Sequence, residues 1–277
     1  MAHNVLTSTF YLDRDSKFEK EKPYELRFPP PKGFPARNCT WSKYEQIKVT
    51  DIRGNEDDYN LDQNGFQLCR LKTSLSAEDF GNNQKVEQIY LKEVAQCLKQ
   101  VLKAYRVLVF DYSIRKSIPG YPISDGKGNQ YETPATIVHI DTTEAWTEHM
   151  NAIYEEKLDG LCAGPRYLYV NVWKPIRGPV KKWPLMLCDW NTYEPKTDVI
   201  SRDLVFGDGE VESTVAYYSP DHTYYYLSDQ YEDEVWMMVQ SDSTTGKGVL
   251  HTAFDSPLTT MDDPERESIE VRCMVYF

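Results

Sequence analysis

Histidine is scarce in this chain, with five in 277 residues. Any site built from imidazoles must therefore draw on His3, His139, His149, His222 and His251. Cysteine is also sparse: Cys39, Cys69, Cys97, Cys162, Cys188 and Cys273 are scattered, without C-x-x-C or any paired spacing. That excludes a disulfide frame and is expected of free, mostly buried thiols in a reducing compartment. Basic charge is in deficit, 31 Lys and Arg against 43 Asp and Glu, for a net charge of −12. A nucleic acid or an anionic membrane surface would call for a basic stripe, so both are excluded as partners. No apolar run approaches the ~18 residues of a membrane span. The first ten residues have neither the basic nor the apolar region of a secretory leader, so a cytoplasmic protein is expected. The sequon Asn38-Cys39-Thr40 then carries no weight. Internal repeats and low-complexity tracts are absent.

What is present is an ordinary globular composition, 40% hydrophobic and 27% charged. All-β barrels of about 200–250 residues are routinely one domain, and a single domain over 1–277 is expected. Residues 1–80 are rich in proline, charge and turns, as in Phe28-Pro-Pro-Pro31, and read as an irregular covering segment with short strands. From Val86 to Tyr105 the apolar residues recur at three and four, which predicts an amphipathic helix with one buried stripe. Arg106 to Tyr112 reads as a buried strand, 119–131 as a loop, and Thr142 to Asp159 as a helix carrying His149 on a polar stretch. Strand-like segments follow at 166–173, 184–189, 212–218, 223–227, 234–241, 248–254 and 268–277. A helix and then about eight short strands predict a mainly β fold, a barrel or two-sheet jelly roll with flanking helices. Twenty tyrosines and six tryptophans suit a barrel lined with rings around an organic ligand.

Within this frame one stretch carries chemistry. In Thr136-Ile-Val-His-Ile-Asp141, His139 and Asp141 stand two residues apart in a β-branched segment, so both face one side of a strand. An imidazole and a carboxylate so placed are two corners of the 2-His-1-carboxylate set that binds non-haem Fe(II) and leaves positions open for substrate and O2. A structural histidine hydrogen-bonded to a carboxylate is the plainer alternative. For the third corner, His3 lies on a terminus and His149 on a surface helix. His222 follows a Ser-Pro turn and reads as either a ligand or a turn residue. His251 ends a strand, and Arg266 and Ser268 open the last strand fifteen residues later. A guanidinium holds a carboxylate with two charge-assisted hydrogen bonds, and a hydroxyl two residues on completes the grip. That is what an enzyme using 2-oxoglutarate needs, and it favours His251. Arg272 shares the face of Arg266, Ser268 and Glu270 and is the second candidate for the keto acid.

The chain as a whole resembles the tailoring oxygenases grouped with AsaB, CmcJ and NvfI, often labelled gibberellin-desaturase-like and found mainly in fungal secondary metabolism. The landmarks run in order: Asp51-Ile-Arg-Gly54, Val138-His-Ile-Asp141, Asn171-Val-Trp-Lys-Pro-Ile176, Pro184-Leu-Met-Leu-Cys-Asp189, His251-Thr-Ala-Phe254 and Arg266-Glu-Ser-Ile-Glu-Val-Arg272. The likeness covers about residues 45–277. It departs at Lys174, where arginine is usual, and at Thr192, where serine is. The resemblance implies a double-stranded β-helix with Fe(II), 2-oxoglutarate and O2, acting by hydroxylation, desaturation, ring closure or endoperoxidation. A medium-sized, largely apolar natural product is the expected substrate, with Asn171 and Trp173 at or behind the pocket and 1–80 and 119–131 as lids. Two other readings stand beside it: an iron oxidase that needs no keto acid, and a metal-free jelly-roll binding protein in which His139, Asp141 and His251 do not converge. Assembly is left between monomer and homodimer.

Overall fold

Two sheets face each other, and side chains that line the space between them alternate with side chains that pack outward. The computed structural model describes residues 3–122, 131–158 and 164–277. In chain order the strands are β1 (Val5–Leu12), β2 (Tyr24–Leu26), β3 (Trp41–Asp51), β4 (Phe66–Arg70), β5 (Arg106–Lys116), β6 (His139–Ile140) and β7 (Tyr167–Pro175). Then come β8 (Leu185–Cys188), β9 (Val199–Val205), β10 (Glu210–Ala216), β11 (Tyr224–Tyr226), β12 (Glu234–Asp242), β13 (His251–Ala253) and β14 (Glu267–Tyr276). One sheet has the order β4-β12-β7-β14-β5, the other β1-β3-β11-β8-β13-β6-β10-β9-β2. This is the double-stranded β-helix that the strand pattern and the resemblance both predict.

The alternation sorts the core. Trp173, Trp236 and Met238 point inward against Leu185 and Leu187 of the larger sheet. Their strand neighbours Val172, Val235, Met237 and Val271 point outward. The helix Leu91–Val101 and the π turn Val86–Tyr90 before it cover that outer face through Val86, Tyr90, Val94 and Leu98. The buried stripe is narrower than expected, since Ile89, Val101 and Tyr105 are exposed. The second long helix is Glu144–Lys157, whose first turn is capped by Thr143 Oγ1 accepting from Trp146 N at 3.0 Å. Among the described residues no helix is long and apolar enough to cross a membrane.

Three expectations need correction. β5 is not a buried strand: it lies at the edge of its sheet beside β14 and is half-buried along most of its length. β9 was not expected, yet it pairs with β10 from end to end. The first 80 residues are more than an irregular cover with short strands, since β1 and β3 run for eight and eleven residues and pair with each other in the larger sheet. On its other side β1 meets the segment that leads into β6, with Phe10 N donating to Thr136 O (3.3 Å) and Val138 N to Phe10 O (3.1 Å). Ala253 N in turn donates to Ala135 O at 2.8 Å. β1, β3, β11, β8, β13 and residues 135–140 therefore close on themselves and bury Tyr11, Val49, Met186 and Tyr224 inside the ring. Of the loop expected at 119–131, residues 123–130 lie outside the described residues.

Gly65 sits where the chain packs closely on its neighbours. It ends the short helix Leu61–Asn64 at φ 83°, where a Cβ would come within 2.6 Å of Val249 Cγ2 and 2.7 Å of Trp190. Gly65→Ala should therefore destabilise the fold by about 2–5 kcal/mol, from left-handed strain and overpacking together. Thermal unfolding checks this; an unchanged midpoint would mean that Val249 and Trp190 yield freely.

Candidate metal centre

Strand register brings the three candidate ligands together. β6 has two residues, and His139 is the direct antiparallel partner of both His251 in β13 and Val215 in β10. Cross-strand partners project from the same face, and the two imidazole centroids lie 4.4 Å apart. Asp141 stands one residue past the strand, and its Oδ1 lies 3.3 Å from His139 Nε2 and 3.9 Å from His251 Nε2. One ligand atom from each residue lies within 4.8 Å of the others. The metal-free alternative required that these side chains stay apart.

Backbone carbonyls orient both rings. His139 Nδ1 sits 2.7 Å from Ile137 O and His251 Nδ1 3.1 Å from Val249 O, so Nδ1–H donates and Nε2 is left to face Asp141. Asp141 has no strand neighbours to hold it, and side chains do so instead. Its backbone N donates to Gln240 Oε1 (2.9 Å), while its Oδ2 accepts from Asn171 Nδ2 (2.8 Å) and Arg272 Nε (3.1 Å). Burial opposes ionisation of this carboxyl, but Arg272 and the two imidazoles hold it well below the usual carboxylate range. Burial and the nearness of His251 push His139 down to about 4, against the pull of Asp141, which keeps the ring neutral. Two imidazole nitrogens and a carboxylate oxygen thus converge. That donor set, two nitrogens and one oxygen, fits a divalent cation such as Fe(II).

A buried cation marks the other end of the cavity. Arg266, just before β14, lines the same narrow space as His139 and His251, together with Arg115, Trp173 and Glu270. Its guanidinium lies 5.3 Å above the Trp173 ring, and Nη1 donates to Trp183 O at 2.6 Å. Nε is buried with no partner, and burial and Arg115 both work against the charge. An incoming carboxylate would relieve that cost. Ser268 is buried one pleat further on. Arg272, the alternative anchor, has its donors committed to Asp141, to Asp111 Oδ2 (2.9 Å) and to Glu270 Oε1 (2.8 Å).

The remaining sequence candidates separate cleanly. Asn171 stands behind Asp141, and Trp173 faces the cavity beneath Arg266 rather than serving as core alone. His222 is buried elsewhere, beside Tyr11 and Tyr224, with Nε2 3.6 Å from Asp198 Oδ2. His149 is exposed next to Trp146 on its helix. His3 lends its backbone N to Asp51. Lys174 points outward beneath Phe80 and Tyr90 and donates to Glu232 O, and Thr192 closes a turn on Asp189 O, so both lie outside the cavity. Of the three neighbouring tyrosines, Tyr225 packs inward on Tyr59 and Phe66. Gln240 and Arg115 were missed as site residues. Gln240 continues the inward row of Trp236 and Met238 and was legible by alternation; Arg115 depends on facing Ser268 across β5 and β14, which the sequence does not display.

Comparisons with known proteins identify the family. A family model described as "Oxidoreductase/YMDC permease-like domain" matches residues 9–276. The alpha-ketoglutarate-dependent dioxygenase phiK of a fungal species is 31% identical over 245 residues, 84% of each chain. The Fe(II)/2-oxoglutarate-dependent dioxygenase nvfI of Aspergillus novofumigatus is 29% identical over 270 residues, covering 93% of this chain and 91% of its own. A solved structure of the iron and alpha-ketoglutarate-dependent endoperoxidase NvfI superposes with a TM-score of 0.84 at 26% identity, covering 99% and 98% of the two chains. The chain belongs to this oxidoreductase family, the group of oxygenases that includes phiK and NvfI.

Proposed function

We propose that the protein is a non-haem Fe(II)/2-oxoglutarate-dependent dioxygenase that oxidises a small-molecule natural product. One observation carries the reading: His139 and His251, which converge with Asp141, share a cavity with a buried guanidinium, Arg266, that lacks a partner at its Nε. His139 Nε2, Asp141 Oδ1 and His251 Nε2 would hold the metal. Bound Fe(II) and 2-oxoglutarate supply the activation of O2, with succinate and CO2 formed as the substrate C–H bond is oxidised. The protein's part is orientation and exclusion of water. Arg266 and Ser268 grip the far carboxylate of the keto acid, and Trp173 props the guanidinium from below. Trp173 and Leu185 keep that end of the cavity apolar. Hydroxylation, desaturation, ring closure and endoperoxidation differ in how the substrate lies against this centre, so residues at the cavity mouth decide among them. The free thiols Cys39, Cys69, Cys97, Cys188 and Cys273 support a cytoplasmic location, and the continuous sheets support a single domain.

Two measurements test the reading. His251→Ala should abolish both Fe(II) binding and 2-oxoglutarate-dependent succinate formation, whereas the exposed His149→Ala should leave both intact. Metal titration with a succinate assay distinguishes them, and a His251→Ala protein that still turns over would move the centre elsewhere. Arg266→Lys keeps the charge and loses the two-pronged grip, so the KM for 2-oxoglutarate should rise at least about tenfold while metal affinity holds. An unchanged KM would detach Arg266 from the keto acid, and turnover without any keto acid would favour the iron oxidase instead.

A further inference from the structure

The hydrogen bonds around Asp141 do more than hold it still. An ionised carboxylate oxygen offers about two lone-pair sites, and on Oδ2 both are taken, by Asn171 Nδ2 at 2.8 Å and Arg272 Nε at 3.1 Å. Oδ1 alone faces the imidazoles. We infer that Arg272 and Asn171 act as a clamp that restricts Asp141 to one-oxygen ligation and so preserves the coordination position that the keto acid requires. This rests on the metal-centre reading above and adds a task for residues which touch neither the metal nor the substrate. Both are positioning residues.

The clamp is built into the sheet. Arg272 is the direct cross-strand partner of Asn171 in β7 and of Asp111 in β5, so the three stand in a row beneath the ligand. Arg272 is itself fixed from two further sides, by Asp111 Oδ2 at 2.9 Å and Glu270 Oε1 at 2.8 Å. A guanidinium held by three carboxylates cannot swing away without leaving buried charge unpaired, which is costly. Asn171 is fully buried, so its amide has no water to turn to. Two donors from two strands thus converge on one oxygen and leave its twin free. Without them Asp141 could chelate a metal through both oxygens, and the second would compete with the keto acid for its place.

The prediction is specific to the ligand. Metal-free and Co(II)-loaded forms of the protein, Arg272→Lys and Asn171→Ala would be compared anaerobically by visible absorption during 2-oxoglutarate titration. Each variant should bind Co(II), show an altered Co(II) spectrum, and bind 2-oxoglutarate about 10- to 100-fold more weakly, the range typical of lost partners behind metal ligands. Thermal unfolding of each metal-free form accompanies the titration to check packing around Arg272→Lys, and Asn171→Ala, which leaves the guanidinium in place, is an independent arm. Folded variants with the parent spectrum and the parent 2-oxoglutarate affinity overturn the clamp while leaving the centre intact. An unsubstituted protein that fails to bind Co(II) overturns the centre itself, and the clamp with it.

Discussion

An ionised carboxylate buried between two imidazoles is the constraint on which the rest of this structure depends. Burying such a charge is expensive unless it is paired and hydrogen-bonded. The larger sheet supplies the imidazoles through the register of β6 and β13, and these contribute to holding the carboxyl ionised. The smaller sheet supplies the guanidinium and the amides. Asn171 and Arg272 from β7 and β14 meet Asp141 Oδ2, and Gln240 from β12 meets its backbone. Arg272 then needs carboxylates of its own, found in Asp111 and Glu270. One sheet therefore presents the ligands and the other balances them.

The arginines of the cavity divide along the same line. Arg272 has three carboxylates around it and is spoken for. Arg266, on the same strand face, has a carbonyl, an aromatic ring and an orphaned Nε. The first is the signature of a structural cation and the second of a binding one. Spacing alone placed both on one face and could not choose between them. Their partners support the proposed assignment of Arg266.

What the sequence displayed was periodicity and local chemistry. The row Arg266, Ser268, Glu270, Arg272 was legible because the inner face of a strand repeats every two residues, and so was the pairing of His139 with Asp141, although Asp141 sits just past the strand. Long-range pairing was not displayed. β3 reads Trp-Ser-Lys-Tyr-Glu-Gln-Ile-Lys-Val-Thr-Asp, whose first half is largely exposed, so no buried face advertises a strand of eleven residues. β9 lies near a sheet edge and hides Arg202 in its middle, which breaks the apolar pattern. β5 looked buried because it is apolar, but it lies at the edge of its sheet. His222 was ambiguous because a buried histidine and a metal ligand look alike until a carboxylate partner is located, here Asp198.

The ring closed by β1 has a consequence in time. The residues that feed His139 are held between β1 and β13, and the carboxylate next to it is held from Arg272, 131 positions along the chain. Contacts so distant in sequence form late, because the entropy of closing large loops must be met before they return anything. A site assembled from parts so far apart in the chain is tied to the whole β-helix and to no single segment of it.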